Sequence, residues 1–139
     1  GYAPDGTKFE AIDAWHTLLY QPMGSVAPAA NYLVSDADHV EVLTEIDIQT
    51  PIPDAVQRRR AGRHFLFLGC RFATQLERSF AFQIMKRSSD RHWAVLPERP
   101  TKNELRFMER YHVERIDMPL GEFVERLAAP MPAPARAAA

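Results

Sequence analysis

Two short apolar runs, each followed a few positions later by the same helix-opening pattern, constrain this chain more than any other feature. His64-Phe65-Leu66-Phe67-Leu68 is closed by Gly69, with Thr74 and Glu77 beyond it; His92-Trp93-Ala94-Val95-Leu96 is closed by Pro97, with Thr101 and Glu104 beyond it. A continuous apolar run of that length reads as a strand covered by helices on both faces. Thr-x-x-Glu is a capping box, in which the hydroxyl and the carboxylate each satisfy a backbone N–H that the first helical turn leaves free. The first box opens a helix over 75–87 with Leu76, Phe80 and Ile84 on one face, and the second opens a helix carrying Leu105 and Met108. Strand, helix, strand, helix implies parallel pairing, because a tight turn cannot bring a chain back in parallel and a crossover helix can. The expected fold is α/β, a small, mostly parallel sheet flanked by helices in a partial Rossmann-like three-layer arrangement.

The rest of the chain supplies weaker signals. Residues 1–15 mix Gly, Pro, Asp and Lys without a period and read as an irregular arm. His16–Tyr20 and Asn31–Val34 read as short strands, and Ser35 as the N-cap of a helix from Asp36 with Val40, Leu43 and Ile46 at helical spacing. Pro51 and Pro53 interrupt that pattern, and Pro53 can open a second helix through Asp54 to the Arg58-Arg59-Arg60 run, ending near Gly62, with the arginines as its wet face. A last strand is expected at Arg115–Met118 and a last helix from Leu120, with Phe123, Val124 and Leu127 on its apolar side. One domain over 16–128 follows, with an Ala/Pro tail at 129–139.

Composition excludes more than it assigns. Lys plus Arg number 17 against 18 for Asp plus Glu, so overall charge points to no nucleic acid and no membrane surface as partner. No run approaches the roughly 18 apolar residues that span a bilayer. Cys70 is the single cysteine, which rules out an internal disulfide and fits a reducing, cytoplasmic compartment. His16, His39, His64, His92 and His112 show no zinc-type spacing, so no metal site is expected. Asp36, Asp38, Glu41, Glu45 and Asp47 lack the ligand spacing and glycine of a calcium loop and read as a solvated helix face.

In an open parallel sheet, ligands bind beyond the carboxyl ends of the strands. That rule selects three loops: Gly69-Cys70-Arg71-Phe72, Pro97-Glu98-Arg99 and Pro119-Leu120-Gly121. In the first, Gly69 admits a ligand close to the backbone, and the helix that follows offers N–H groups and a positive dipole end to a phosphate or ribose hydroxyl. The same glycine-to-helix turn occurs in α/β proteins that bind nothing there. Cys70 lies near that helix start beside Arg71, which could activate a thiol. With no histidine assigned beside it, it reads rather as a small buried hydrophobe.

Several landmarks between Leu18 and Leu127 resemble, in order, the C-terminal part of bacterial sirtuin-like domains. Leu19-Tyr20-Gln21-Pro22-Met23-Gly24-Ser25 is similar to the family's Tyr-Lys-Leu-His-Gly-Ser type motif, and Val42-Leu43-Thr44-Glu45-Ile46-Asp47 to the Leu-Thr-Glu-Glu-Asp stretch after it. Phe65 to Phe72 resembles the family's Leu-Phe-Leu-Gly-Tyr-Ser-Leu strand and loop, and His92–Leu96 the strand that follows. The resemblance implies that Gly69, Cys70 and Arg71 line a ribose and phosphate, and that Leu96, Pro97 and Glu98 border the second ribose or the adenine, of NAD or ADP-ribose. It also places Met23 where the family carries its catalytic histidine, and a thioether cannot take a proton from a ribose hydroxyl. The family's Gly-Ala-Gly loop has no counterpart in residues 1–15.

The expectation is therefore a non-catalytic sirtuin-like nucleotide-binding module, working in a homo-oligomer or a larger protein. Two alternatives stand beside it: an NAD-hydrolysing or deacylating enzyme completed by an N-terminal half, and a pure interaction or oligomerisation domain.

Overall fold

The computed structural model describes residues 1–3, 5–9, 14–45 and 52–129, with backbone alone for 41–45. Its elements run α1 (Asp36–Glu45), α2 (Asp54–Arg60), β1 (Leu66–Leu68), α3 (Gln75–Met85), β2 (His92–Val95), α4 (Lys102–Arg110), β3 (Val113–Ile116) and α5 (Leu120–Ala128). They fall into two compact units, one of residues 1–64 with 78–89 and one of residues 65–77 with 90–139, α3 running through both.

In the first unit, the segments before α1 are held largely by local backbone bonds, while Gly62 N–H donates to Arg87 and Ser89 N–H to Arg63 across the unit. Tyr2 and Lys8 form an antiparallel bridge, with the Phe9 ring edge-on to Trp15 at 5.7 Å. The strands expected at His16–Tyr20 and Asn31–Val34 do not form: Leu19 and Val34 keep 85% and 80% of their surface exposed. A strand needs a ladder partner, and here the backbone is satisfied at short range instead. Gly24 N–H donates to Gln21, Asn31 N–H to Ser25 and Leu33 N–H to Met23, folding 21–33 into a closed loop. Gly24 sits at φ +79°, and a Cβ there would come within 2.1 Å of the Asn31 carbonyl oxygen, so only glycine fits the turn.

Ser35 caps α1 as expected, its hydroxyl accepting from Asp38 N–H while the Asp38 carboxylate accepts from Ser35 N–H. The continuation of that helix to Ile46 lies outside the described residues. Pro53 precedes α2, and Gly62 follows it at φ +66°. The arginine run is not simply a wet face: the Arg59 guanidinium donates to the Trp15 carbonyl and that of Arg60 to the Ile84 carbonyl, both partly buried.

The second unit carries the sheet, an open parallel array in the order β1-β2-β3. Leu66 stands opposite Trp93, Phe67 opposite Ala94 and Leu68 opposite Val95; His92 to Val95 stand opposite Val113 to Ile116. With flanking helices this is the α/β architecture expected. β1 begins two residues later than the apolar run, because His92 intervenes. Its buried Nδ1 accepts the Phe65 N–H at 3.0 Å, a bond that leaves Nδ1 unprotonated and ties the entry of β1 to β2 through a side chain. β3 lies two residues earlier than Arg115–Met118, since Met118 N–H turns back to the Ile116 carbonyl.

The expectation of cover on both sides of β1 is corrected. Phe67 is buried, whereas Leu66 and Leu68 are 40% and 44% exposed, the alternation of a strand covered on one face. In α3 the buried residues are Ala81 and Met85, with Leu76 exposed, so its inner face is rotated from the expected stripe. α5 forms at the expected place with no residue buried.

Phe72 organises the covered side. Its ring is fully buried, edge-on to Phe67 at 5.1 Å and 5.0 Å from Phe107 of α4, which in turn meets Tyr111 at 4.9 Å. Its backbone sits at φ +59°, a conformation that costs an L-residue about 1–2 kcal/mol and survives only where packing holds it. Phe72→Ala should lower stability by about 3–5 kcal/mol. Because Ala keeps the left-handed penalty and Gly does not, Phe72→Gly should be no less stable than Phe72→Ala, the reverse of the usual order; urea unfolding of the two variants measures this.

Candidate functional site

β1 and β2 run in parallel, so their carboxyl ends and the loops that leave them open on the same edge. Within the second unit that edge holds a cavity of about 190 Å³, lined by Gly69 and Arg71 from the first loop, Val95 at the end of β2, Leu96 to Glu98 and Pro100 from the second loop, Glu104 of α4 and Leu120 of α5. Five of the six residues read from sequence as cofactor-contacting therefore meet in one place: Gly69, Arg71, Leu96, Pro97 and Glu98. Cys70 is half-buried and outside the cavity lining. Burial pushes its thiol pKa up, the Phe72 backbone N–H pulls it back in part, and the nearby Glu77 carboxylate raises it again. That is the environment of an unactivated thiol.

Gly69 has a backbone reason to be glycine. It sits at φ +72°, and a Cβ on it would meet only the Leu120 side chain, at an ordinary 3.6 Å. The left-handed turn, rather than crowding, selects the residue. Both helices leaving the cavity edge start on capping boxes. At α3 the Glu77 carboxylate accepts from Thr74 N–H at 2.7 Å while Thr74 Oγ1 accepts from Glu77 N–H, so part of the dipole end read as open to phosphate already faces a carboxylate. At α4 the Glu104 carboxylate accepts from Thr101 N–H at 2.5 Å.

Arg71 joins the two loops. Its guanidinium pairs with Glu98, whose side chain is 70% exposed, and its Nε lies 3.5 Å from Oε1 of Glu104, which is 1% exposed. Burial pushes the Glu104 pKa up, but the Thr101 backbone and side-chain hydrogen bonds and the Arg71 charge outweigh it and hold the carboxyl below its ordinary range. Arg115 of β3 supports the second loop from beneath, donating from Nε to the Leu96 carbonyl at 2.8 Å and from Nη2 to Pro97 at 3.2 Å and to Asp117 at 2.8 Å. Sequence reasoning identified Glu104 only as a helix cap and gave Arg115 no role; each finds its second partner through the tertiary fold, where no local pattern points.

A larger, more open cavity, about 520 Å³, lies at the other end of β2 and β3 beside Asp90, Arg91, His112 and Glu114. Arg91 and Glu114 there pair with one another through two hydrogen bonds, and no loop from a strand's carboxyl end reaches it. Met23 belongs to the first unit, half-buried, with its carbonyl accepting from Leu33.

A family model described as a SIR2-like domain matches residues 2–116. The chain belongs to the SIR2-like domain family. The match takes in most of the arm read as irregular as well as all three strands of the sheet. No curated protein and no solved structure matches the chain. No helix among the described residues is long and apolar enough to cross a membrane.

The depressed Glu104 carboxyl fixes a pH dependence. Its folded pKa lies below the unfolded one, so its charge stabilises fully above the unfolded value, near 4.3, and that contribution is lost as pH falls through the folded pKa. Glu104→Gln keeps the shape of the cap and removes the charge. It should cost about 1 kcal/mol at pH 7, the difference between a charged and a neutral hydrogen bond, and in urea unfolding the gap to the native chain should narrow as pH falls below the ordinary carboxylate range and the native carboxyl takes up its proton.

Proposed function

We propose that this SIR2-like domain is a nucleotide-binding module that takes NAD or ADP-ribose at the carboxyl ends of β1 and β2, and that it carries no deacylase activity within this chain. One observation carries the reading: Gly69 and Arg71 from one strand-end loop, and Leu96, Pro97 and Glu98 from the next, line a single cavity where an open parallel sheet binds its ligands. The residues divide by chemistry. The backbone turn at Gly69 and the Arg71 guanidinium suit phosphate oxygens, the Glu98 carboxylate suits ribose hydroxyls, and Leu96 with Pro97 offers an apolar wall to a base. Met23, at the position matching the family's histidine, supports binding without turnover, because its sulfur is no proton acceptor. The module belongs in the cytoplasm, as part of a homo-oligomer or a larger protein.

Ligand that binds only the folded state raises stability by mass action, about 2.7 kcal/mol at one hundred times Kd. Thermal unfolding with NAD and with ADP-ribose should therefore show a concentration-dependent rise of several degrees, and Gly69→Asp, which sets a side chain and a negative charge at the phosphate position, should abolish it. A melting temperature that stays flat to millimolar concentrations of both ligands overturns the reading.

A further inference from the structure

Among the described residues, Arg71 is the one cation that lines the cavity, and it is already engaged by two carboxylates of unequal standing. Glu104 is fixed: buried, with Oε2 taking the Thr101 N–H and Oε1 left to face Arg71. Glu98 is 70% exposed on a loop, and its pairing with Arg71 links the two strand-end loops at the cavity. The cavity, about 190 Å³, is smaller than the roughly 300–1,000 Å³ of ordinary ligand pockets. A phosphate group entering there meets an arginine whose exposed partner must first leave.

We infer that Arg71 is an exchangeable clasp for a phosphate or pyrophosphate group: Glu98 holds it in the empty domain, an entering oxyanion displaces Glu98, and Glu104 keeps the guanidinium in place throughout. The clasp rests on the nucleotide-binding reading for the identity of the ligand, though its chemistry is that of the phosphate alone. The forked guanidinium can donate to two oxyanion oxygens while Nε stays with Glu104, so the exchange trades one anion for another without leaving a buried charge unpaired. Glu98 thereby becomes a residue that weakens phosphate binding in the native chain, and the freed carboxylate turns to face ribose hydroxyls.

The test uses inorganic pyrophosphate and ADP-ribose as separate probes, with calorimetry for affinity and the Arg71 Nε–H resonance for the clasp, assigned by its loss in Arg71→Met. Glu98→Gln should tighten pyrophosphate about threefold to fivefold at low salt, the scale of a broken exposed ion pair, and pyrophosphate should shift the Arg71 resonance in both proteins. Pyrophosphate binding that Glu98→Gln leaves unchanged or weakens, or that does not move the Arg71 resonance, overturns the clasp. If pyrophosphate moves Arg71 and ADP-ribose neither binds nor competes, the clasp stands and the nucleotide reading falls. If ADP-ribose binds with the Arg71 resonance unmoved, the nucleotide reading stands and the clasp falls.

Discussion

The burial of one aromatic ring sets the geometry on which the second unit depends. Phe72 packs against Phe67 of β1 and Phe107 of α4, and to do so its backbone must adopt a left-handed conformation. Together with Gly69, also left-handed, it bends the chain twice between the end of β1 and the start of α3. The bend puts Arg71 at the cavity while Phe72 goes into the core. The same contact seats α4, and the first turn of α4 carries Glu104 to the other side of Arg71. Core packing and the charges at the cavity are thus two sides of one turn.

What was legible in the sequence was whatever is decided locally or by short-range periodicity. The Thr101 and Thr74 capping boxes formed because their partners lie three residues away, and the two apolar runs formed parallel strands because the helix between them left no other pairing. What failed was decided at long range. Residues 16–20 and 31–34 have strand-like composition, but strands are made by partners, and in 21–33 local backbone bonds satisfied the chain first. The run 64–68 could not reveal whether one face or both would be covered; Leu66 and Leu68 show that it is one.

The candidate site divides along the same line. A general rule of parallel sheets pointed to the loops after β1 and β2, and the lining residues came with them. The network among those loops did not, since Arg71 and Glu104, or Arg115 and Leu96, are brought together only by sheet register and helix packing. Membership of the SIR2-like family covers the sheet, but Arg71 and Met23 stand where the resemblance leads one to expect a serine and a histidine. The first puts a cation, and the second a thioether, where the resemblance implies a hydroxyl and an imidazole, and on these two differences the proposal of binding without turnover rests.

Arg115 gives the second loop an unusual source of order. A surface loop ordinarily draws its shape from its own turns and loses mobility when a ligand arrives, which costs affinity. Here the carbonyls of Leu96 and Pro97 are held by a guanidinium anchored in the neighbouring strand, so their conformation is settled when the sheet forms. That wall of the cavity is fixed from the sheet, and the ion pair between Arg71 and Glu98 stands at its surface. A ligand taken up as proposed would meet a frame whose shape is already set by the sheet, so its arrival would be registered in surface side chains and not in the backbone beneath them.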